Sequence, residues 1–483
     1  MMRFLSRRHA RQVCAAALVV WVGAELPMAG HAQADYQLLH KFSGGANNGY
    51  IPGAGLTRSG GVLYGTTQFG GDSGFGVVYK LNANGTGFEL LHEFAGGAND
   101  GTAPQAPLTL AGAKLYGTTV QGGDANRGTV FRVNVDGSMF GLLHEFAGGA
   151  SDGAGPTAGL ALVGSTLYGT TGSGGDNDGG TVYKLEVGGT GFQLLHEFTG
   201  GAGGGRTPSG ELTVVGSTLY GTTFNGGAAD RGTVFKVNID GTGFGVLHEF
   251  AGGANDGSGP AAGLTLVGST LYGTTSNGGD ASLGTVFKID VGGAGFQLLH
   301  EFAGGANDGS TPRGALTRVG DALFGTTTYG GATGGGTIYR INLDGTGFEL
   351  LKDFAGTSQQ GFNPVGGLEF DGSRLFGATA FGTDATGGSV FSVGPIGIPG
   401  DFSHSNGVGR EDLLIWNGAY GPGSGADADG DGDSDGHDFL IWQRHLGQGA
   451  ALAASVGVAE PGAAALGILA AALAMAIPRR RRR

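Results

Sequence analysis

Asp427, Asp429, Asp431 and Asp438 stand at positions 1, 3, 5 and 12 of a twelve-residue run, with Gly432 at position 6. Side-chain oxygens at that spacing wrap a loop around a hard cation. The glycine supplies the sharp turn, and Asp433 at position 7 offers its backbone carbonyl. Oxygen-only donors select Ca²⁺ over softer metals. A weaker copy begins 26 residues earlier, with Asp401, Ser403, Ser405 and Asp412 at the same positions and Asn406 where glycine is usual. Having fewer charges, the earlier loop binds less tightly than the later one. The alternative is a flexible acidic linker without a metal.

Elsewhere the residues that could do chemistry recur at a fixed interval. His40, His92, His144, His196, His248 and His300 each close a Leu-Leu-His marker or its close variant, 52 residues apart, and Lys352 takes the seventh place. A catalytic reading would require six equivalent active sites, so a polar position on an outer strand is favoured. Asp100, Asp152, Asp256 and Asp308 could ligate a cation, but Asn-Asp-Gly is also a standard turn former and is read as such. Asp72, Asp124, Asp176, Asp280 and Asp384 recur at one loop position and are assigned to turns in the same way. No nucleophile–base arrangement, zinc cluster or phosphate loop stands out.

The elements that position these residues follow from the period. Tyr64, Tyr116, Tyr168, Tyr220, Tyr272, Phe324 and Phe376 mark one series, and Tyr79 through Phe391 another, with no insertion in either. Gly263 to Val267, Thr270 to Thr275, Gly284 to Ile289 and Phe296 to Phe302 read as four short strands. The first two are joined by a tight turn. Glycine-rich residues 276–283 form a long loop after the second strand, and 303–313 another after the fourth. Four antiparallel strands per unit make the blade of a β-propeller. The chain opens with a lone fourth strand, Tyr36 to Phe42, and closes with a unit holding only the first three, Gly367 to Val393. Pairing the two gives seven complete blades and no open edge. An open solenoid would need capping units, and none is found. The 107 glycines follow no Gly-X-Y period, which excludes collagen.

In an up-and-down blade the two long loops emerge on one face, where binding residues concentrate. One position in the loop after the second strand varies as Phe69, Gln121, Ser173, Asn225, Asn277, Tyr329 and Phe381. The three aromatics belong to the first, sixth and seventh units, which closure makes neighbours. Phe69, Tyr329 and Phe381 are therefore the candidate patch for a sugar face or a peptide.

The motifs Leu-Tyr-Gly-Thr-Thr…Gly-Gly…Gly-Thr-Val-Phe across residues 36–394 resemble the bacterial GloVer tandem repeats of extracellular proteins, a family that implies no particular activity. Kelch units have similar spacing, but their Tyr and Trp positions are absent. Residues 400–447 are similar to a type I dockerin, in which each calcium loop leads into a helix, here Asp412-Leu-Leu-Ile-Trp416 and Asp438-Phe-Leu-Ile-Trp442. That resemblance implies a small α-helical, EF-hand-like module, a cohesin-like partner, and Trp416 and Trp442 as core.

Both ends read as addresses. Residues 1–34 have an arginine-bearing start, an apolar run and Ala32-Gln33-Ala34, the layout of a secretory signal peptide. Val458-Ala459-Glu460-Pro461, an apolar stretch to Ile477 and five terminal arginines resemble a PEP-CTERM sorting tail. Such a tail implies an exosortase and a Gram-negative cell surface; a plain transmembrane anchor is the alternative. Removing the nine arginines of these two segments and Glu25 leaves 18 basic against 39 acidic residues, a net of −21. That excess argues against nucleic acid as a partner. The only cysteine, Cys14, falls in the leader, so no disulfide is expected.

The expected organisation is a signal peptide at 1–34, a seven-bladed all-β propeller at 35–397, a dockerin-like calcium module at 398–449 and a sorting tail at 450–483. The expected function is non-enzymatic binding of a glycan or surface protein outside the cytoplasm, with contact to the membrane only through the tail. An extracellular polysaccharide hydrolase or lyase is the alternative. It would need a unique acid–base set near the central channel, which is not apparent in the sequence.

Overall fold

The computed structural model describes residues 35–357, 360–382 and 387–396, and beyond them Leu413, Leu414, Trp416, Gly421–Pro422, Asp433–Ser434, Phe439 and residues 441–443. Residues 1–34 and 450–483 lie outside this set, as do the calcium-loop residues except the backbone of Asp433 and Ser434.

Seven four-stranded antiparallel blades follow one another along the chain. Blade 1 contains Thr57–Ser59, Val62–Gly70, Val77–Asn82 and Glu89–Glu93 in that order. Blades 2 to 6 repeat the order, ending with Glu349–Asp353. Blade 7 is built from Phe362–Phe370, Leu375–Phe381 and Ser389–Val393, and its outer strand is Tyr36–Lys41 from the beginning of the chain. The seam runs from Tyr36 opposite Val393 to Lys41 opposite Ser389, with a one-residue bulge between Leu38 and His40. It is extended by Phe42, which donates its N–H to the Gly388 carbonyl and accepts from the Gly387 N–H, each at 2.9 Å. The expected closure is therefore present.

The hydrophobic cores lie between blades. Tyr64, Val78, Leu91 and Phe94 of blade 1 pack on Leu108, Leu115, Phe131 and Val133 of blade 2. At the seam, Leu39, Phe42, Phe376 and Val390 meet Leu56, Leu63, Tyr79 and Leu81 in the same way. Alternation along the third strand produces this: in Thr129–Asn134, Val130, Phe131 and Val133 are buried while Arg132 is only partly covered. Each fully buried large side chain contributes about 1.5–3 kcal/mol. The aromatic of that strand is Phe131, Phe235 or Phe287 in three blades, but Tyr183 and Tyr339 carry buried hydroxyls with no hydrogen-bond partner. Tyr183→Phe and Tyr339→Phe are expected to raise stability by about 1 kcal/mol each, read as an upward shift of the urea midpoint at unchanged slope.

The inner strand is longer than the sequence suggested. The glycine-rich stretch 303–313, expected to be loop, contains strand Gly309–Pro312, which pairs with the far end of the nine-residue strand Ala322–Gly330. Gly309 marks a close approach rather than a turn, because a Cβ there would lie 2.4 Å from the Thr327 methyl. The loop expected at 276–283 likewise begins with strand Asn277–Gly278.

A left-handed residue then interrupts every inner strand: Ile51, Ala103, Gly155, Thr207, Gly259, Thr311 and Asn363, with φ between 55° and 65°. Each donates its N–H to a carbonyl of the preceding blade, on Gly387, Phe75, Arg127, Gly179, Arg231, Leu283 and Gly335 respectively, at 2.7–2.9 Å. The left-handed geometry costs about 1–2 kcal/mol at a residue bearing a Cβ. Here it turns a backbone donor from its own sheet toward the neighbour and ties each blade to the one before it.

Candidate functional site

The recurrent histidines and aspartates form a structural clasp. In four blades the imidazole Nε2 meets the Oδ1 of an aspartate eight residues on: His92–Asp100, His144–Asp152, His248–Asp256 and His300–Asp308, at 3.1–3.2 Å. The aspartate also accepts backbone N–H groups; for Asp152 these come from Gly153 at 2.7 Å and Ala147 at 2.8 Å. Both carboxylate oxygens are thus engaged within the turn, in accord with the turn reading. The imidazole face stacks on a phenylalanine of the next blade, as His144 does on Phe192 at 3.7 Å and 7°. At the last interface Lys352 replaces histidine and its ammonium sits 5.1 Å from the Tyr36 ring. Blade by blade the contact is conserved in kind, and no copy is singled out for catalysis. His196 has Gly204 where the aspartate would stand, and burial lowers its pKa to about 4, so it is neutral. At Asp72, Asp124, Asp176 and Asp280 the backbone N–H is held by a glutamate of the fourth strand. Asp384 lies outside the described residues.

The two long connections do share a face. The N–H of Gly175, after the second strand of its blade, donates to the carbonyls of Gly149 and Asp152 in the preceding connection, both at 3.0 Å. The variable position sits on strand rather than loop, with Phe69 opposite Tyr50, Tyr329 opposite Ser310 and Phe381 opposite Phe362. Tyr329 and Phe381 line the central channel, whereas Phe69 is 45% exposed and is not part of that lining. Phe381 stacks on Phe362 at 5.6 Å. No ring contact joins any two of the three among the described residues.

The channel itself, a cavity of about 880 Å³, is lined by the inner strands of all seven blades. Most positions carry small residues, because seven strands converge there. Three charged side chains break the pattern: Glu211 in blade 4, Arg313 in blade 6 and Glu369 in blade 7. The positions matching Glu211 hold Gly55, Pro107, Gly159, Gly263, Ala315 and Gly367. Those matching Glu369 hold Thr57, Thr109, Ala161, Thr213, Thr265 and Thr317, and five of these threonines bond a leucine carbonyl of the next blade. Within the repeat Arg313 stands two residues earlier than Glu211, toward the loop face, and Glu369 two residues later. Sequence reasoning missed this set because it sought clusters. The available signal was a charged residue where every other copy is small or hydroxylic.

The Glu211 side chain is open to the lumen yet enclosed by protein around it. Burial, and secondarily the Glu369 charge, push its pKa up to about 7. Burial raises Glu369 to about 7 as well, against the opposing pull of Arg58. Both carboxyls therefore keep their proton in the native state to about pH 7 but lose it near 4.5 when unfolded. Native stability consequently falls as pH rises between those values. Glu211→Gln is expected to raise the melting temperature at pH 8 and leave it nearly unchanged at pH 4. An equal shift at both would show that the carboxyl is not held in its neutral form.

In the region after the propeller, Trp442 is buried against Phe370, Leu413 and Phe439, and the Trp416 and Phe439 rings lie 4.8 Å apart. These positions suit the core role expected of the tryptophans. Among the described residues no group of three or more His, Cys, Asp and Glu could hold a metal, and no helix is long and apolar enough to cross a membrane.

The family model of the Gloeobacter/Verrucomicrobia repeat matches residues 29–223, 163–391 and 285–421. No curated protein matches the chain. Among solved structures, a chain of a nidogen/laminin complex is similar over 63% of this chain and 96% of its own length, at 17% identity and a TM-score of 0.38.

Proposed function

This chain belongs to the Gloeobacter/Verrucomicrobia repeat family, and on that premise we propose that it is an exported, non-enzymatic binding scaffold. It takes a glycan or a surface protein at the loop-face mouth of its channel. One observation carries the reading: the contacts between blades repeat almost unchanged, while variation collects along the channel, at Tyr329, Phe381, Arg313, Glu211 and Glu369. Residues that only hold a ring together have no reason to differ there. A glycan and surface-protein array probed with the secreted protein tests it. Tyr329→Ala with Phe381→Ala should abolish capture without lowering the melting temperature; capture unaffected by that pair would place binding elsewhere.

The region at 398–449 acts as a dockerin-like docking module. Asp427, Asp429, Asp431 and Asp438 would hold Ca²⁺ with the Asp433 carbonyl, and Asp401, Ser403, Ser405 and Asp412 a second, weaker ion. A cohesin-like protein is its partner class. The leader and the arginine-ended tail route the chain through export and exosortase processing to the cell surface. Calcium titration of the full chain should show one strong site that Asp427→Ala removes, and a flat titration would dispose of the module.

A polysaccharide-cleaving enzyme is the second reading, on the observation that the channel holds two carboxyls near half-protonation at neutral pH. Polysaccharide turnover that Glu211→Gln abolishes would replace the scaffold reading.

A further inference from the structure

We propose that the corner of the channel formed by blades 6 and 7 binds an acidic saccharide, with Arg313 gripping its carboxylate and Tyr329 and Phe381 covering its ring faces. This rests on the scaffold reading above and names its ligand class. Among the described residues Arg313 is the only cationic side chain in the channel lining. It has no hydrogen-bond or ion-pair partner among the described residues, although Glu211 and Glu369 line the same cavity. The matching positions in the other blades hold Gly53, Gln105, Thr157, Ser209, Ala261 and Val365, so the ring does not need a cation there. A guanidinium fork exposed to the lumen matches a carboxylate through two parallel hydrogen bonds.

Tyr329 is half exposed at the same end of blade 6, and Phe381 stands on the adjacent wall, steadied by Phe362. Aromatic faces beside a charged fork suit a uronate ring, which is apolar on its C–H faces and anionic at its edge. The cavity, about 880 Å³, is large enough for a short oligosaccharide. The two carboxyls of the lining do not forbid an anion, since burial keeps each about half protonated near pH 7. Glu369 also faces Arg58, and Glu211 faces Glu369.

Calorimetric titration of the full chain at pH 6.5 with trigalacturonate and with cellotriose tests the assignment. Wild type should prefer trigalacturonate. Arg313→Gln, the residue blade 2 carries at this position, should weaken it at least about tenfold and leave cellotriose unchanged. Tyr329→Ala should weaken both sugars. Trigalacturonate binding indifferent to Arg313→Gln, or a wild-type preference for cellotriose, overturns the assignment. If trigalacturonate binding depends on Tyr329 but not on Arg313, the scaffold reading stands and the acidic ligand falls. Binding of neither sugar overturns this inference and leaves the scaffold reading to the protein arm of the array.

Discussion

Deletion of residues 35–42 should yield associating, poorly folded material. That segment supplies the outer strand of blade 7, and without it Ser389–Val393 becomes an open edge. Leu39 and Phe42, 7% and 0% exposed, leave the seam core, and Phe42 also leaves its ring contact with Tyr79 at 5.1 Å. Two buried anchors disappear at about 1.5–3 kcal/mol each, and the partly buried Tyr36 is lost from between Phe354 and Phe391. The melting temperature should fall by roughly 10 °C or more. Size-exclusion chromatography should show dimers or larger species pairing through the exposed edge. Phe42→Ala keeps the strand and removes only the anchor, so it should cost about 3–5 kcal/mol without changing the elution volume of the intact chain. A deletion variant that elutes and melts like the intact chain would mean the seam does not hold the ring.

Asp152→Ala is the second large effect, expected at about 2–4 kcal/mol. The substitution strips the acceptor from three donors, the N–H groups of Gly153 and Ala147 and the ring nitrogen of His144. Buried donors left without an acceptor cost about 1–3 kcal/mol each, more than the bonds themselves contribute. Asp152→Asn should be milder. Asn48 fills the corresponding place at the seam, where its Oδ1 accepts from Gly49 at 2.8 Å and lies 3.4 Å from His40. Denaturant unfolding of the two variants separates them, and equal losses would mean the effect is not the orphaned donors.

Much of this architecture was legible because the repeat is uninterrupted. The aromatics at Tyr64 and Tyr79 and their copies set the strand positions, and the incomplete units at the two ends gave the closure. The face carrying the long loops followed from strand direction alone. What was not legible lay in the glycine-rich stretches. Gly309 and its copies read as turns, yet they are strand residues whose missing Cβ admits a threonine side chain. The left-handed residues at Ile51, Thr207 and Thr311 had no local signal, because a β-branched residue does not choose that geometry by itself. It is imposed by a carbonyl of the preceding blade. Placing the variable aromatics in adjacent units was sound as far as the ring order goes. It could not separate Phe69 from the channel-lining Tyr329 and Phe381, since that depends on how far each side chain reaches over the mouth. Glu211, Arg313 and Glu369 lie more than 50 residues apart in sequence and share only the lumen, which exists once the ring has closed.

On the proposed reading, function resides where the sevenfold pattern is broken. Restoring the pattern tests it: Glu211→Gly, Arg313→Ala and Glu369→Thr together, each a residue that other blades carry at the same position. The restored ring should be at least as stable as the native one and should capture none of the acidic glycans that the native protein binds on the array. Native-level capture by the restored ring would contradict it.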